Sequence, residues 1–169
     1  MFFCCAFDAM GSTMATYGGQ NVGARKLERV GSGLKACVIL GVVYSIVSFV
    51  ILYFFGQNLT ALFVEGAEVQ MLENAKVFLI INAAFFIPLA LVNIVRYLIQ
   101  GMGFSTFAIL AGVFEMAART LAGLVLVPKF GFMGACLASP LAWVAADAFL
   151  IPAYIHVKHR LQKLFESEA

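Results

Sequence analysis

Charge is what this sequence is short of. Asp, Glu, Lys and Arg supply 12% of its 169 residues, where a soluble domain carries roughly 25%. So few polar side chains cannot cover a water-soluble globule of 18.3 kDa, which excludes a cytosolic enzyme or a disordered tail. The net surplus of +2 is too weak to track a phosphate backbone, so nucleic acid is not an expected partner. Histidine is nearly absent: His156 and His159 stand three apart with no third ligand in sight, a weak metal signal better read as interfacial anchoring. With only these two histidines no Ser-His-Asp or Cys-His set can be assembled, so no enzyme activity is expected. The four cysteines, Cys4, Cys5, Cys37 and Cys136, show no CxxC spacing and are read as small membrane-helix residues, not as disulfide or metal partners. The opening MFFCCAFDAM lacks the basic segment and small-x-small site of a signal peptide, so the chain is read as mature or truncated.

Long apolar runs fill the space that charge leaves. Apolar residues reach 63% and mean hydropathy is +0.97. A transmembrane helix needs about 20 mostly apolar residues. Four stretches meet that length, at 34–55, 77–100, 105–127 and 134–157, and a shorter one at 1–17 reads as the remainder of a fifth. The expected fold is an all-α integral membrane protein, a single membrane domain of about five spans. Turn chemistry is expected at Gly56-Gln57-Asn58, Gly101-Met102-Gly103 and Pro128-Lys129-Phe130-Gly131. Pro88 and Pro152 are expected to bend their helices.

The placement of Lys and Arg gives the spans a direction. Arg25, Lys26 and Arg29 precede the second span with Lys35 at its entry, and Lys158, Arg160 and Lys163 follow the last, while the other side holds only Lys76 and Lys129 beside Glu65, Glu68 and Glu73. The positive-inside rule then puts the N-terminus outside and the C-terminus in the cytoplasm, with the lipid bilayer of a plasma (inner) membrane as the surroundings. Residues 24–33 carry Leu27 and Val30 between basic residues and read as an amphipathic cytoplasmic connector or a solvated link.

Ionisable groups inside spans cost about 2.5 to 3.5 kcal/mol at the bilayer centre, so they face a bundle interior or a wet cavity. Glu115 and Arg119 stand four apart on one helix face and can neutralise each other, as a structural pair or as part of a transport or coupling pathway. Asp147 has no basic residue within a turn on its own helix and shares a face with Ser139, Trp143 and Tyr154. It is expected either in the transport pathway or paired with Arg96 or Arg119. Asn82, Asn93, Arg96 and Gln100 fall on one stripe of the third span, expected to line a cavity together with Trp143 or to bind neighbouring helices. Gly18 to Arg25 has the glycine spacing of a P-loop but lacks its Lys-Ser/Thr.

Several segments share a family likeness. Ser12 to Ala24, with Gln20, Asn21, Gly23 and Ala24 at its end, resembles the helix end and cytoplasmic turn of multidrug and toxic compound extrusion (MATE) transporters. Phe85-Phe86-Ile87-Pro88 followed by Arg96 and Gly101-Met102-Gly103 resembles that family's proline-containing span. Glu115-Met116-x-x-Arg119 resembles its Glu/Arg helix, and Gly131 to Ala135 with Ser139-Pro140-x-Ala142-Trp143 resembles the start of its last helix. The resemblance implies the second six-helix lobe of such a transporter without its first helix. It further implies a cation-coupled multidrug antiporter working by alternating access, with H+ or Na+ as coupling ion, no other cofactor, and amphipathic or cationic small molecules as cargo. A missing N-terminal lobe or a second copy is then the implied partner. Two alternatives stand beside it: a non-transporting truncated or assembly membrane protein, and a lipid-linked oligosaccharide flippase of the same superfamily.

Overall fold

Helices are the only structure hydrocarbon permits to an unpaired chain, since each backbone N–H and C=O must be satisfied within its own segment. The computed structural model describes residues 2–61 and 69–167, and these are helical almost throughout. A single 3-10 turn, Phe2–Cys4, leads into α1 (Cys5–Gly23). Then follow α2 (Leu27–Ala61), α3 (Val69–Ala84), α4 (Phe86–Gly101), α5 (Ser105–Phe130) and α6 (Phe132–Ser167), with no strand among the described residues. The acids Glu65 and Glu68 lie outside the described residues.

Three helices are long and apolar enough to cross a membrane, within Leu27–Gly56, Ser105–Phe130 and Phe132–Ser167, and a fourth crossing exists if α3 and α4 count as one bent span. Against the expected five, the described residues give three crossings, or four with the bent pair, by length and composition. α1 is the remaining helix, and the Gly, Thr, Gln and Asn of its second half keep it below that standard.

Boundaries move in a consistent direction: helices run further than composition suggested. The expected connector at 24–33 is not a separate element, because only Ala24 to Lys26 leave the helix and α2 begins at Leu27. That short turn is a Schellman closure: Lys26 N–H donates to the Asn21 carbonyl at 2.8 Å and Arg25 N–H to the Val22 carbonyl at 3.0 Å. Arg25 takes the left-handed position at φ 57, a place usually given to glycine. At the other end α2 passes through Gly56, Gln57 and Asn58 without turning. One glycine costs a helix only about 1 kcal/mol, less than breaking it does in an apolar setting. The last helix likewise carries its basic tail, Lys158 to Lys163, as continued helix through Pro140 and Pro152.

The third expected span is two helices meeting at 53°. The break falls at Phe85, three residues ahead of Pro88. Pro88 has no N–H for the Ala84 carbonyl, and its ring crowds that carbonyl, so the chain restarts as a new helix with Pro88 in its first turn. The fourth and fifth spans are joined by Gly131 alone, at φ 56. Pro128 lies inside the last turn of α5 and does not end it.

α4 is the hub, packed against α1, α2, α5 and α6. Ile94, Leu98 and Ile99 are fully buried, and Phe7 of α1 sets its ring edge-on to Tyr44 and Phe86 at 5.2 and 5.6 Å. Close approach is bought with small residues, as is usual where no solvent drives helices together. A Cβ on Gly101 would overlap the backbone carbonyl of Ala15, and one on Gly134 the backbone of Leu126. The outward faces of α2 and α5, with Leu40, Phe54, Ile109 and Leu124, are exposed and apolar, the composition of a lipid boundary.

Gly101→Ala should therefore lower the melting temperature in detergent, by the equivalent of about 1–3 kcal/mol for forced overpacking. Gly123→Ala, which meets open space, should be neutral or raise it.

Candidate functional site

Glu115 sits midway along α5 and is held from two directions. Arg119, one turn later, donates from Nη2 to Oε1 at 2.9 Å, and Arg96, reaching across from α4, donates from Nη2 to Oε2 at 2.6 Å. The expected pair is thus a triad spanning two helices, and Arg96 is engaged at the centre of the charge cluster. Side-chain exposure grades the three: 18% for Glu115, 23% for Arg96 and 50% for Arg119. The cross-helix bond is the better shielded, and screening weakens the Arg119 arm most.

Asp147 on α6 is buried to 8% exposure, and its Oδ1 has no hydrogen-bond partner among the described residues. Arg96 is the cation whose charge bears on it, and Arg96 Nε is itself buried without a partner among the described residues. The Arg96 guanidinium is bonded to Glu115 on α5, and its charge also acts on Asp147 on α6, with no hydrogen bond between Arg96 and Asp147 among the described residues. The four charges, two of each sign, sum to zero, which is how a charged cluster survives in hydrocarbon.

A shallow pocket of about 360 Å³ opens on this cluster, lined by Gly112, Glu115, Met116, Arg119 and Thr120. It contains Glu115 and Arg119 but none of the other expected cavity residues. Asn93 is half-buried, with Nδ2 turned back to the Leu89 carbonyl at 3.2 Å, and Gln100 is exposed. Trp143 lies at 7% exposure inside the apolar core. The single stripe expected from Asn82 to Gln100 is cut by the bend, which leaves Asn82 on α3 and Asn93, Arg96 and Gln100 on α4. Asn82 is buried and donates to its own helix at the Phe78 carbonyl, 2.8 Å away.

Gln20, Asn21, Gly23 and Ala24 form the exposed end of α1 and its turn. Asn21 Nδ2 caps the Tyr17 carbonyl at 2.8 Å, and the Gln20 carbonyl accepts from Ala24 N–H at 3.0 Å. Their work is to end a helix.

Two features escaped sequence reasoning. The Arg96–Glu115 bond joins residues 19 apart on different helices, and no spacing rule reveals such a partner. Ser45 and Ser48 are buried hydroxyls of α2, and the signal for them in the sequence is an i, i+3 pair within an apolar run.

The MatE family model matches residues 1–127. No curated protein matches the chain. Among solved structures, it is similar to MATE in the bent conformation, at 20% identity and a TM-score of 0.79 over 88% of this chain and 34% of that one. It is similar also to the inward-facing conformation of a multidrug resistance MATE family transporter of the MOP superfamily, at 18% identity and a TM-score of 0.74 over 89% of this chain and 34% of that one. The chain spans about a third of the length of these proteins, and at such identities the likeness is one of fold.

Replacing Arg96 by Gln should lower the detergent melting temperature more than replacing Arg119 by Gln. The first leaves Glu115 and Asp147 without their shared cation, a loss of about 1–3 kcal/mol. The second removes a half-exposed i, i+4 pair worth about 0.3–0.5 kcal/mol.

Proposed function

The chain belongs to the MatE family, and from that premise we propose that it is the C-terminal part of a cation-coupled multidrug antiporter, exporting amphipathic or cationic small molecules by alternating access. The observation that carries the reading is the charge cluster on α4, α5 and α6, set within long apolar helices. A pump driven by H+ or Na+ needs a buried carboxylate whose charge can be cancelled and restored during the cycle. Asp147 suits that role better than Glu115, because both Glu115 oxygens are already bonded while Asp147 keeps a buried oxygen without a partner among the described residues.

In this mechanism a proton or cation arriving at Asp147 removes the negative charge that acts on Arg96. Arg96 then belongs wholly to Glu115, which tightens α4 against α5. When Asp147 is ionised again, Arg96 is shared between the two carboxylates and α6 is drawn toward α4. The ligand thereby biases two packings of the same helices, and it shifts their balance only by the difference in its affinity for them. Glu115 serves chiefly as the anchor of Arg96, with Arg119 bonded to its other oxygen. The cargo path runs along the open pocket beside Glu115 and Arg119, with the lipid bilayer, a remaining lobe or a second copy completing its wall. The N-terminus lies outside and the basic C-terminal tail in the cytoplasm of an inner membrane.

The test is gradient-driven efflux of a fluorescent cation from cells expressing the chain within its complete genomic reading frame. Wild type should lower accumulation. Asp147→Asn should abolish the effect at unchanged expression, while Glu115→Gln should reduce thermal stability at least as much as flux. Undiminished efflux by Asp147→Asn would remove Asp147 from the mechanism, and absence of wild-type efflux would favour a non-transporting assembly role.

A further inference from the structure

Seven of the eleven Lys and Arg residues stand at one end of the bundle, four between Arg25 and Lys35 and three between Lys158 and Lys163. Packing draws these two segments together. Val30 of α2 and Val157 and Leu161 of α6 are buried in one core, Arg25 lays its guanidinium over the Phe165 ring at 5.6 Å, and Lys158 Nζ comes within 3.7 Å of where a Cβ on Gly31 would stand. Between them opens a cavity of about 470 Å³. Lys26, Glu28 and Arg29 line it from the start of α2, and Gln162, Phe165 and Glu166 from α6, at the i, i+3, i+4 spacing of one helix face.

This lining is charged in both signs. Lys26, Glu28, Arg29 and Glu166 are exposed, and no ion pair joins any of them to another among the described residues. Glu115, by contrast, is answered from two sides within the protein. Opposite charges that line one cavity and stay apart leave room for a ligand that carries both. The depth of the cavity narrows what that ligand is. The belt of exposed large apolar side chains starts at Ile39 on α2 and, Leu164 apart, ends at Ile155 on α6. Arg29 stands ten residues before the first and Gln162 seven after the second, two to three helical turns. Long basic side chains reach back over that distance into the headgroup layer.

We infer that this cavity seats the headgroup of an aminophospholipid, a lipid whose phosphate carries a primary amine. Lys26 and Arg29, with the Gln162 amide, donate to the phosphate oxygens, and Glu28 and Glu166 accept from the ammonium. Charge-assisted bonds of this kind are roughly twice as strong as neutral ones, and basic pockets between membrane helices hold lipid headgroups. A purely anionic headgroup would leave both carboxylates unanswered, and a quaternary ammonium has no N–H to offer them. The acyl chains then lie along the exposed apolar flank of α2. The seat requires only that these helices lie in a bilayer, and it stands or falls independently of Asp147 and of any transport cycle.

The experiment is thermal melting of the purified chain in detergent micelles doped, at equal mole fraction, with phosphatidylethanolamine, phosphatidylcholine or phosphatidylglycerol. Phosphatidylethanolamine should raise the melting temperature saturably, by about 4 °C at tenfold excess over its dissociation constant, and the other two by clearly less. The Glu28→Gln, Glu166→Gln double variant should lose the advantage of phosphatidylethanolamine over phosphatidylcholine. The Lys26→Gln, Arg29→Gln double variant should lose most of the rise with every lipid, while Lys129→Gln, at the other end of α6, should behave as wild type. Each comparison is made within one variant, with and without lipid, so a change in basal stability does not obscure it. Soluble phosphoethanolamine at matched concentration should leave the melting unchanged. Equal rises with phosphatidylethanolamine and phosphatidylcholine, a larger rise with phosphatidylglycerol, or an ethanolamine preference that survives in either double variant would overturn the proposal. A full rise with soluble phosphoethanolamine would overturn the lipid as the source of the headgroup.

Discussion

A polar atom in hydrocarbon has no water to fall back on, so each one must be answered by another atom of the protein. Most of this architecture follows from that demand. Hydroxyls and amides of the helices turn back on their own backbones, as Ser12, Thr13, Thr120 and Asn93 do. Glu115 is answered twice, by Arg119 on its own helix and Arg96 on the next. The groups left unanswered are few. Among the described residues they are Asp147 Oδ1 and Arg96 Nε in the charge cluster, Asn82 Oδ1 near the bend and Ser48 Oγ on α2.

Packing and chemistry are coupled through α4. It touches the five other helices, carries Arg96 on its half-exposed side, and begins at the break after Ala84. Its approach to α1 is close, with Gly101 against the Ala15 backbone and Tyr97 and Leu98 laid over Gly11 and Gly18. A shift of α4 is therefore felt at once by α1, by Glu115 on α5 and by Asp147 on α6. Protein interiors of this density rearrange between discrete packings instead of deforming smoothly.

Fold class was legible in the sequence because it depends on composition and length, which are local. The long apolar runs located α2, α5 and α6, and Gly103 at φ 95 and Gly131 at φ 56 sit in turns the sequence marked. Boundaries were less legible, because Gly56 and Pro128 are weak punctuation where an apolar environment penalises any non-helical backbone. The site was half legible. Glu115 and Arg119 announce themselves by spacing, whereas Arg96 meets Glu115 only after two helices have packed. Asn82 looked continuous with Asn93 and Arg96 until the bend at Phe85 separated them. Trp143, grouped with the polar residues by its wheel position, is claimed by the core.

The joint at Gly131 bears on how the protein is made. With one residue between α5 and α6, neither helix can enter the bilayer while its neighbour stays behind in water, so the two must insert together as a finished hairpin. Lys129 is the only charge near its tip, so a single ammonium is all the charge that end of the hairpin carries into assembly.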